Sequence, residues 1–238
     1  MLIGFASCFS NWHTEVEIAD YLEKAGHKVH RYHLPNMDYA KFLSKDFDLA
    51  ITALPQLFPP GFWERVKAKK IAWYFDWIQG YASRQQQYIP ALKPFDLTIS
   101  TDGWIDMYAT AGLDRRWLPH ACDMRTYHPV KCEVTRDVGF IGHVYTKFRK
   151  SLLNNLNRRY DFEHFGNREE CWGPKYSEVC NSVKIMVGDN CRNDIPGYWS
   201  DRLYLSLGSG AFLMYPRVPG IEKYFTDGEH LVLFDNEM

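Results

Sequence analysis

Short apolar runs alternate with amphipathic stretches along most of the chain. Residues 2–6 are apolar throughout but for one glycine, and Thr14-x-x-Glu17 then forms the capping-box pattern ahead of Ile18, Ala19, Leu22 and Ala25 on one helical face. Gly26 supplies the stop. The same reading predicts strands over 28–34, 48–53 and 71–75, with helices over 37–44 and 62–69 between them. A strand over 97–100, a helix over 103–111 and a strand over 116–118 complete the first series.

A second series begins after Pro129. Strands are expected over 138–141, 162–165, 183–187, 211–215 and 231–234, and helices over 147–157, 176–182, 200–207 and 221–225. Alternation of this kind implies right-handed βαβ units and parallel sheets with helices on both faces. The fold class expected is therefore α/β, with two Rossmann-like lobes, residues 1–122 and 123–238, facing a central cleft. The boundary rests on the proline-bounded connector from Pro119 to Pro129. In such folds ligands sit at the carboxyl ends of the strands.

Composition narrows the picture. A chain of 238 residues, 46% hydrophobic and 24% charged, can bury one large core or two modest ones. Its formal net charge of -1 gives no global field toward a phosphate backbone or an anionic membrane, though a local basic patch stays open. Nucleic acid is a partner the charge disfavours. No apolar run reaches the ~18 residues of a membrane span, and no positive segment of a secretory signal opens the chain, so a cytoplasmic location is expected. The six cysteines show no metal-ligand spacing and are expected as reduced thiols. The first turn lacks Gly-x-Gly-x-x-Gly, which disfavours a dinucleotide-dependent dehydrogenase.

The connector Leu118-Pro119-His120-Ala121-Cys122-Asp123, followed by Tyr127-His128-Pro129, resembles the segment joining the lobes of retaining GT-B glycosyltransferases. The stretch from Trp199 through Arg202, Gly208, Gly210 and Pro216, on through Val218-Pro-Gly-Ile-Glu222 to Asp227-Gly-Glu-His-Leu-Val232, is similar to the carboxyl lobe of CgeB-like members of that group. The likeness covers about residues 118–236, and the amino lobe matches only in its βα alternation. It implies a glycosyltransferase that moves a sugar from a nucleoside-diphosphate sugar to an acceptor the sequence does not identify. No cofactor or metal is implied. GT-B chains usually run on into helices that cross back to the first lobe, so a carboxyl lobe ending at Met238 reads as short. A non-catalytic nucleotide- or sugar-binding module, and an enzyme whose acceptor is a nucleobase, are the alternatives.

Negative charge grows on the leaving diphosphate as the glycosidic bond breaks, and basic groups or a helix N-terminus can stabilise it. Gly142, His143, Lys147 and Arg149 form a glycine loop leading into a basic helix start, and the resemblance places His143 and Lys147 where the family has Arg and Lys. His for Arg exchanges a permanent fork for a titratable ring. The alternative is a solvated helix face. Arg202 with Gly208 and Gly210 is expected to approach the same ligand, with Gly220 and Glu222 nearby. Family members commonly carry a ribose-binding Glu where this chain has Leu205, so Glu222 or Asp201 is the expected substitute. Asp76, after the strand over 71–75, and His13, in the first βα loop, are the catalytic candidates, each against a capping role. Asp46-x-Asp48 reads as a turn rather than a metal motif.

Overall fold

The computed structural model describes residues 1–11, 13–78, 82–103, 105–166 and 170–235. The chain divides into two compact units, Met1–Pro119 and His120–Met238, each with its own sheet. In the amino unit the strands are β1 (Leu2–Ser7), β2 (Lys28–His33), β3 (Leu49–Thr52), β4 (Lys69–Tyr74), β5 (Leu97–Ser100) and β6 (Arg115–Trp117). They lie in the order β2-β1-β3-β4-β5-β6, and every pair is parallel. Because successive strand residues face opposite ways, Ala50 and Ile51 belong to different cores. Ala50 joins Ala72, Tyr74 and an aromatic cluster of Phe42, Phe62 and Trp63. Ile51 joins Ile3, Phe5 and Ala19 under the first helix, α1 (Thr14–Lys24).

Several elements differ from expectation. The N-cap of α1 is His13, which leaves Thr14 as its first helical residue, so the capping-box frame is off by one. The helix expected over 62–69 shrinks to a single 3-10 turn, Trp63–Arg65, because pairing of Leu49 with Lys69 and of Ala50 with Lys70 claims its end for β4. Helix α2 is Tyr39–Leu43, and an unexpected helix α3 (Ala82–Leu92) precedes β5; its Gln85, Gln86, Gln87 and internal Pro90 conceal any apolar period. Helix α4 is Ile105–Thr110. Trp104, in the helix expected over 103–111, lies outside the described residues.

The carboxyl unit holds β7 (Arg136–Phe140), α5 (Lys147–Arg159), β8 (Phe162–His164), α6 (Pro174–Asn181), β9 (Val183–Val187), α7 (Asp201–Gly208), β10 (Leu213–Pro216) and β11 (Val232–Phe234). The helix expected over 221–225 is a 3-10 turn, Ile221–Lys223. Strand order is β11-β10-β9-β7-β8, again all parallel. The chain goes out from β7 to β8 on one side and returns to β9 on the other. The carboxyl ends of β7 and β9 therefore frame the switch point where an open α/β sheet makes its crevice. Val138, Phe140, Met186, Leu213, Tyr215 and Leu233 supply buried side chains from four of these strands.

Candidate functional site

The switch point of the carboxyl unit gathers polar groups far apart in sequence. Beyond β7, Gly142 has a φ of +145°, a conformation that side chains other than hydrogen rarely adopt. A Cβ there would lie 3.3 Å from the Arg202 guanidinium and 3.3 Å from the Phe140 ring. This glycine thus makes room for an arginine sixty positions on. Its N–H donates to the Gly166 carbonyl, and its carbonyl accepts from His164 Nε2 at 2.7 Å, which fixes the loop from both sides.

Arg202 stands in the first turn of α7. Its Nη2 donates to the Asp189 carbonyl at 3.1 Å, while its buried Nε has no hydrogen-bond partner among the described residues. Burial is the largest influence and opposes its charge, but Asp201 together with Tyr215, Tyr176 and Cys191 outweighs it, and the guanidinium is held above its ordinary range. Ser200, the N-cap of α7, makes no side-chain cap bond. Leu203 N donates to the Ser200 carbonyl at 3.1 Å, but no hydroxyl caps this turn. In α5 the contrast is plain, since Thr146 Oγ1 accepts from Arg149 N at 3.0 Å.

Behind Arg202 lies a buried layer. Asn190 Oδ1 accepts from Ser200 N at 2.8 Å and from the Tyr215 hydroxyl at 2.5 Å. Burial pushes the Tyr215 phenol well up, so it remains a donor. Arg149 and Asp189 form an ion pair at 2.9 Å in which both side chains are fully buried. Arg149 also donates to the His143 carbonyl at 2.5 Å and to the Asp189 carbonyl at 3.0 Å.

These positions sort the predicted residues. Gly142 and Arg202 meet, and the exposed His143 and Lys147 lie on the same loop and helix start. Arg149 is neither on a solvated face nor free to meet a ligand, because its guanidinium is enclosed and bonded at three nitrogens. Gly208 and Gly210 pack against the connector rather than beside Arg202. Helices run back against the strands, so the last turn of α7 lies at the opposite edge of the sheet from Arg202. What those glycines admit is the connector: a Cβ on Gly208 would sit 2.7 Å from Cys122 Sγ, and one on Gly210 2.8 Å from Pro129. Gly220, with a φ of +90°, opens the 3-10 turn after β10, and Glu222 there is 3.1 Å from Arg217 Nη1. Arg217 also pairs with Asp227 and Asp235, so it ties the end of the chain together. Leu205 is buried in the core of the unit at 1% exposure.

In the amino unit, Asp76 follows β4 as expected. Its carboxylate accepts from Trp77 N and lies 3.0 Å from Arg84, whose guanidinium stacks on Trp77 at 4.2 Å. His13 Nδ1 accepts from Ser10 N at 3.1 Å. In the neutral ring the proton then sits on Nε2. Asp48 accepts from Leu2 N at 2.6 Å and begins the strand at the amino edge, which is the turn role read for it. Sequence reasoning passed over Asp189, Asn190 and Glu15. Glu15, 6% exposed beside the end of β1, accepts from Ser7 Oγ at 2.9 Å, and burial together with this carboxylate raises the Cys8 thiol. The rule that selected Asp76, a polar residue just past an apolar strand, selects Asp189 and Asn190 after β9 equally well. Among the described residues no group of three or more His, Cys, Asp or Glu side chains is arranged to hold a metal ion. No described helix is long and apolar enough to cross a membrane.

Residues 146–238 match a family described as glycosyl transferase-like. That segment takes in α5, Asp189 and Arg202 but starts just after Gly142 and His143. No curated protein matches the chain in sequence. Among solved structures, Anabaena HepE in complex with UDP and glucose is similar at a TM-score of 0.67 and 9% identity, over 99% of this chain and 86% of that one. Sucrose-phosphate synthase from Thermosynechococcus elongatus gives 0.65 and 12%, over 100% and 86%. A DNA-modifying β-glucosyltransferase, solved with and without uridine diphosphoglucose, gives 0.64 and 15%, over 98% and 84%. The likeness is one of fold, and the fold is that of the GT-B glycosyltransferases.

Proposed function

We propose, from the premise that residues 146–238 are a glycosyl transferase-like segment on a GT-B fold, that the chain transfers a sugar from a nucleoside-diphosphate sugar. One observation carries the assignment of the donor sugar nucleotide to the carboxyl unit. At the switch point, the partly open Arg202 points a buried, unpartnered Nε beside the uncapped first turn of α7. A diphosphate meets both at once, because it offers charge to the guanidinium and oxygens to the amino end of α7, whose N-cap Ser200 makes no side-chain cap bond. Lys147 extends the positive rim and His143 adds an imidazole to it, and these groups take the place of a metal ion in neutralising the leaving group. Glu222 offers a ribose hydroxyl the carboxylate oxygen that Arg217 leaves free. The acceptor hydroxyl is left to the amino unit, where Asp76 takes its proton while Arg84 fixes the carboxylate.

Isothermal titration of UDP, GDP and uridine tests this. A diphosphate is expected to bind equally with and without a chelator. Arg202→Ala and Lys147→Ala should each weaken it by about 1.5 to 3 kcal/mol, the worth of a charge-assisted contact, and leave uridine almost unaffected. Binding that requires Mg²⁺, or equal losses for UDP and uridine, would overturn the assignment.

A non-catalytic binding module is the second reading. It is favoured by Leu205, whose buried side chain offers the ribose no acceptor. Such a module would bind UDP-sugar and never hydrolyse or transfer it over any acceptor screen. The structural neighbours include a DNA-modifying β-glucosyltransferase and an α-glucosyltransferase in complex with UDP and a 13-mer DNA, which makes a nucleobase hydroxyl one acceptor class to include.

A further inference from the structure

We infer that the buried Arg149–Asp189 pair positions the phosphate-binding groups, an inference that rests on the reading just given for Arg202 and α7. Neither side chain has any exposed surface. Ion pairs this deep are weak stabilisers, because two desolvation penalties offset the attraction and apolar replacements often serve the fold as well. The hydrogen bonds show what this one does instead. Through Nη1, Arg149 holds the carbonyl of His143, and through Nη2 the carbonyl of Asp189. That second carbonyl also accepts from Nη2 of Arg202. Asp189 spends its other oxygen on Asn193 Nδ2 at 2.8 Å, and Asn193 Oδ1 in turn accepts from Asn190 Nδ2 at 2.9 Å. Asn190 is the residue that holds the entry to α7.

One enclosed fork therefore fixes the His143 loop, the Arg202 guanidinium and the start of α7 relative to one another. Arg149 does not reach a ligand, so it is a positioning residue that acts through Arg202 and His143. Asp189 is its counterpart: the carboxylate locks Arg149 and the carbonyl aims Arg202. A rigid fork is required for three simultaneous bonds, which an ammonium on a flexible stem does not reproduce.

The test is titration of UDP and uridine into wild type, Arg202→Ala, the double variant Arg149→Met/Asp189→Leu, and the triple combination, with a melting curve for each free protein. The double variant removes both charges together, so it is expected to melt near the wild type. Its UDP affinity should fall about tenfold or more, while uridine changes less than about twofold. On the Arg202→Ala background the same double change should cost UDP less than about twofold, since groups acting through one another are non-additive. Arg149→Lys keeps a cation against Asp189 and lacks the fork, so it decides the question even if the double variant does not fold: weakened UDP with intact uridine is expected. Wild-type UDP affinity in Arg149→Lys or in the folded double variant, or full additivity with Arg202→Ala, overturns the positioning role while the donor site stands. A wild-type protein that binds no nucleoside diphosphate instead removes the donor site, and this inference with it.

Discussion

Gly142 concentrates the argument at the scale of one residue. Its positive φ and the two neighbours at 3.3 Å make any side chain costly there. Gly142→Ala is expected to destabilise the protein by ~1 to 2 kcal/mol through backbone strain alone, and to weaken UDP as well because Arg202 must move. Denaturant titration and calorimetry on the same variant measure both. Wild-type UDP affinity in a destabilised Gly142→Ala would separate the glycine from the site. Gly142 and Arg202 were both legible from the sequence, since glycine and arginine advertise their chemistry. That both would approach one ligand was expected, but their direct contact was not, because it depends on strand order, which sets β7 beside β9 although β8 comes between them in the chain. Asp189 was missed for a different reason: a single acidic residue after a strand has no local pattern to mark its partner in α5.

At the scale of elements, strand positions were the best read and helix positions the worst. Strands over 183–187 and 97–100 agree residue for residue, because a short apolar run bounded by polar residues leaves little choice. Helix α3 escaped because its polar run Ser83–Gln87 and its Pro90 break any apolar period, so its place comes from docking against the amino-unit core through Leu92, Tyr88 and Ile89. The two ends of α7 also have separate jobs. Gly210→Ala should lower stability by at least ~1 to 2 kcal/mol through its φ of +79° and the clash with Pro129, yet leave UDP affinity unchanged; a matching loss of affinity would return that turn to the ligand. Between β4 and β5, Asp96 accepts from Lys70 N at 2.7 Å, and this bond first, then Lys69 and Lys70, depresses its pKa. A depressed carboxylate contributes stability above its unfolded pKa and loses it as pH falls through the folded value. Asp96→Asn should therefore cost roughly 0.5 to 1 kcal/mol at neutral pH, modest because the group is partly solvated. The gap should close below about pH 3. A cost that persists in acid would show that the carboxylate's charge plays no part.

For the molecule as a whole, two sheets with separate cores mean that a ligand can be located by where it slows exchange. UDP is expected to protect backbone amides at 142–146 and 200–203 while leaving β1 to β6 of the amino unit at their free rates, by hydrogen exchange followed with mass spectrometry. Uniform protection of both units would contradict a donor site built within the carboxyl unit. The α/β class and the existence of two lobes were visible in the alternation of elements. The division falls between Pro119 and His120, inside the proline-bounded connector.

All strand pairs in both sheets are parallel, and the Arg149–Asp189 pair spans forty residues. This has a consequence for how the chain is made. A ribosome adding ~5 to 20 residues per second exposes Arg149 roughly 2 to 8 seconds before it delivers Asp189, and β7 has only β8 beside it until β9 emerges. During that interval a guanidinium destined for the interior has no counter-charge, and one edge of β7 stands open. The carboxyl unit is thus obliged to wait, and its sheet closes around Arg149 only once Asp189 and β9 have been made.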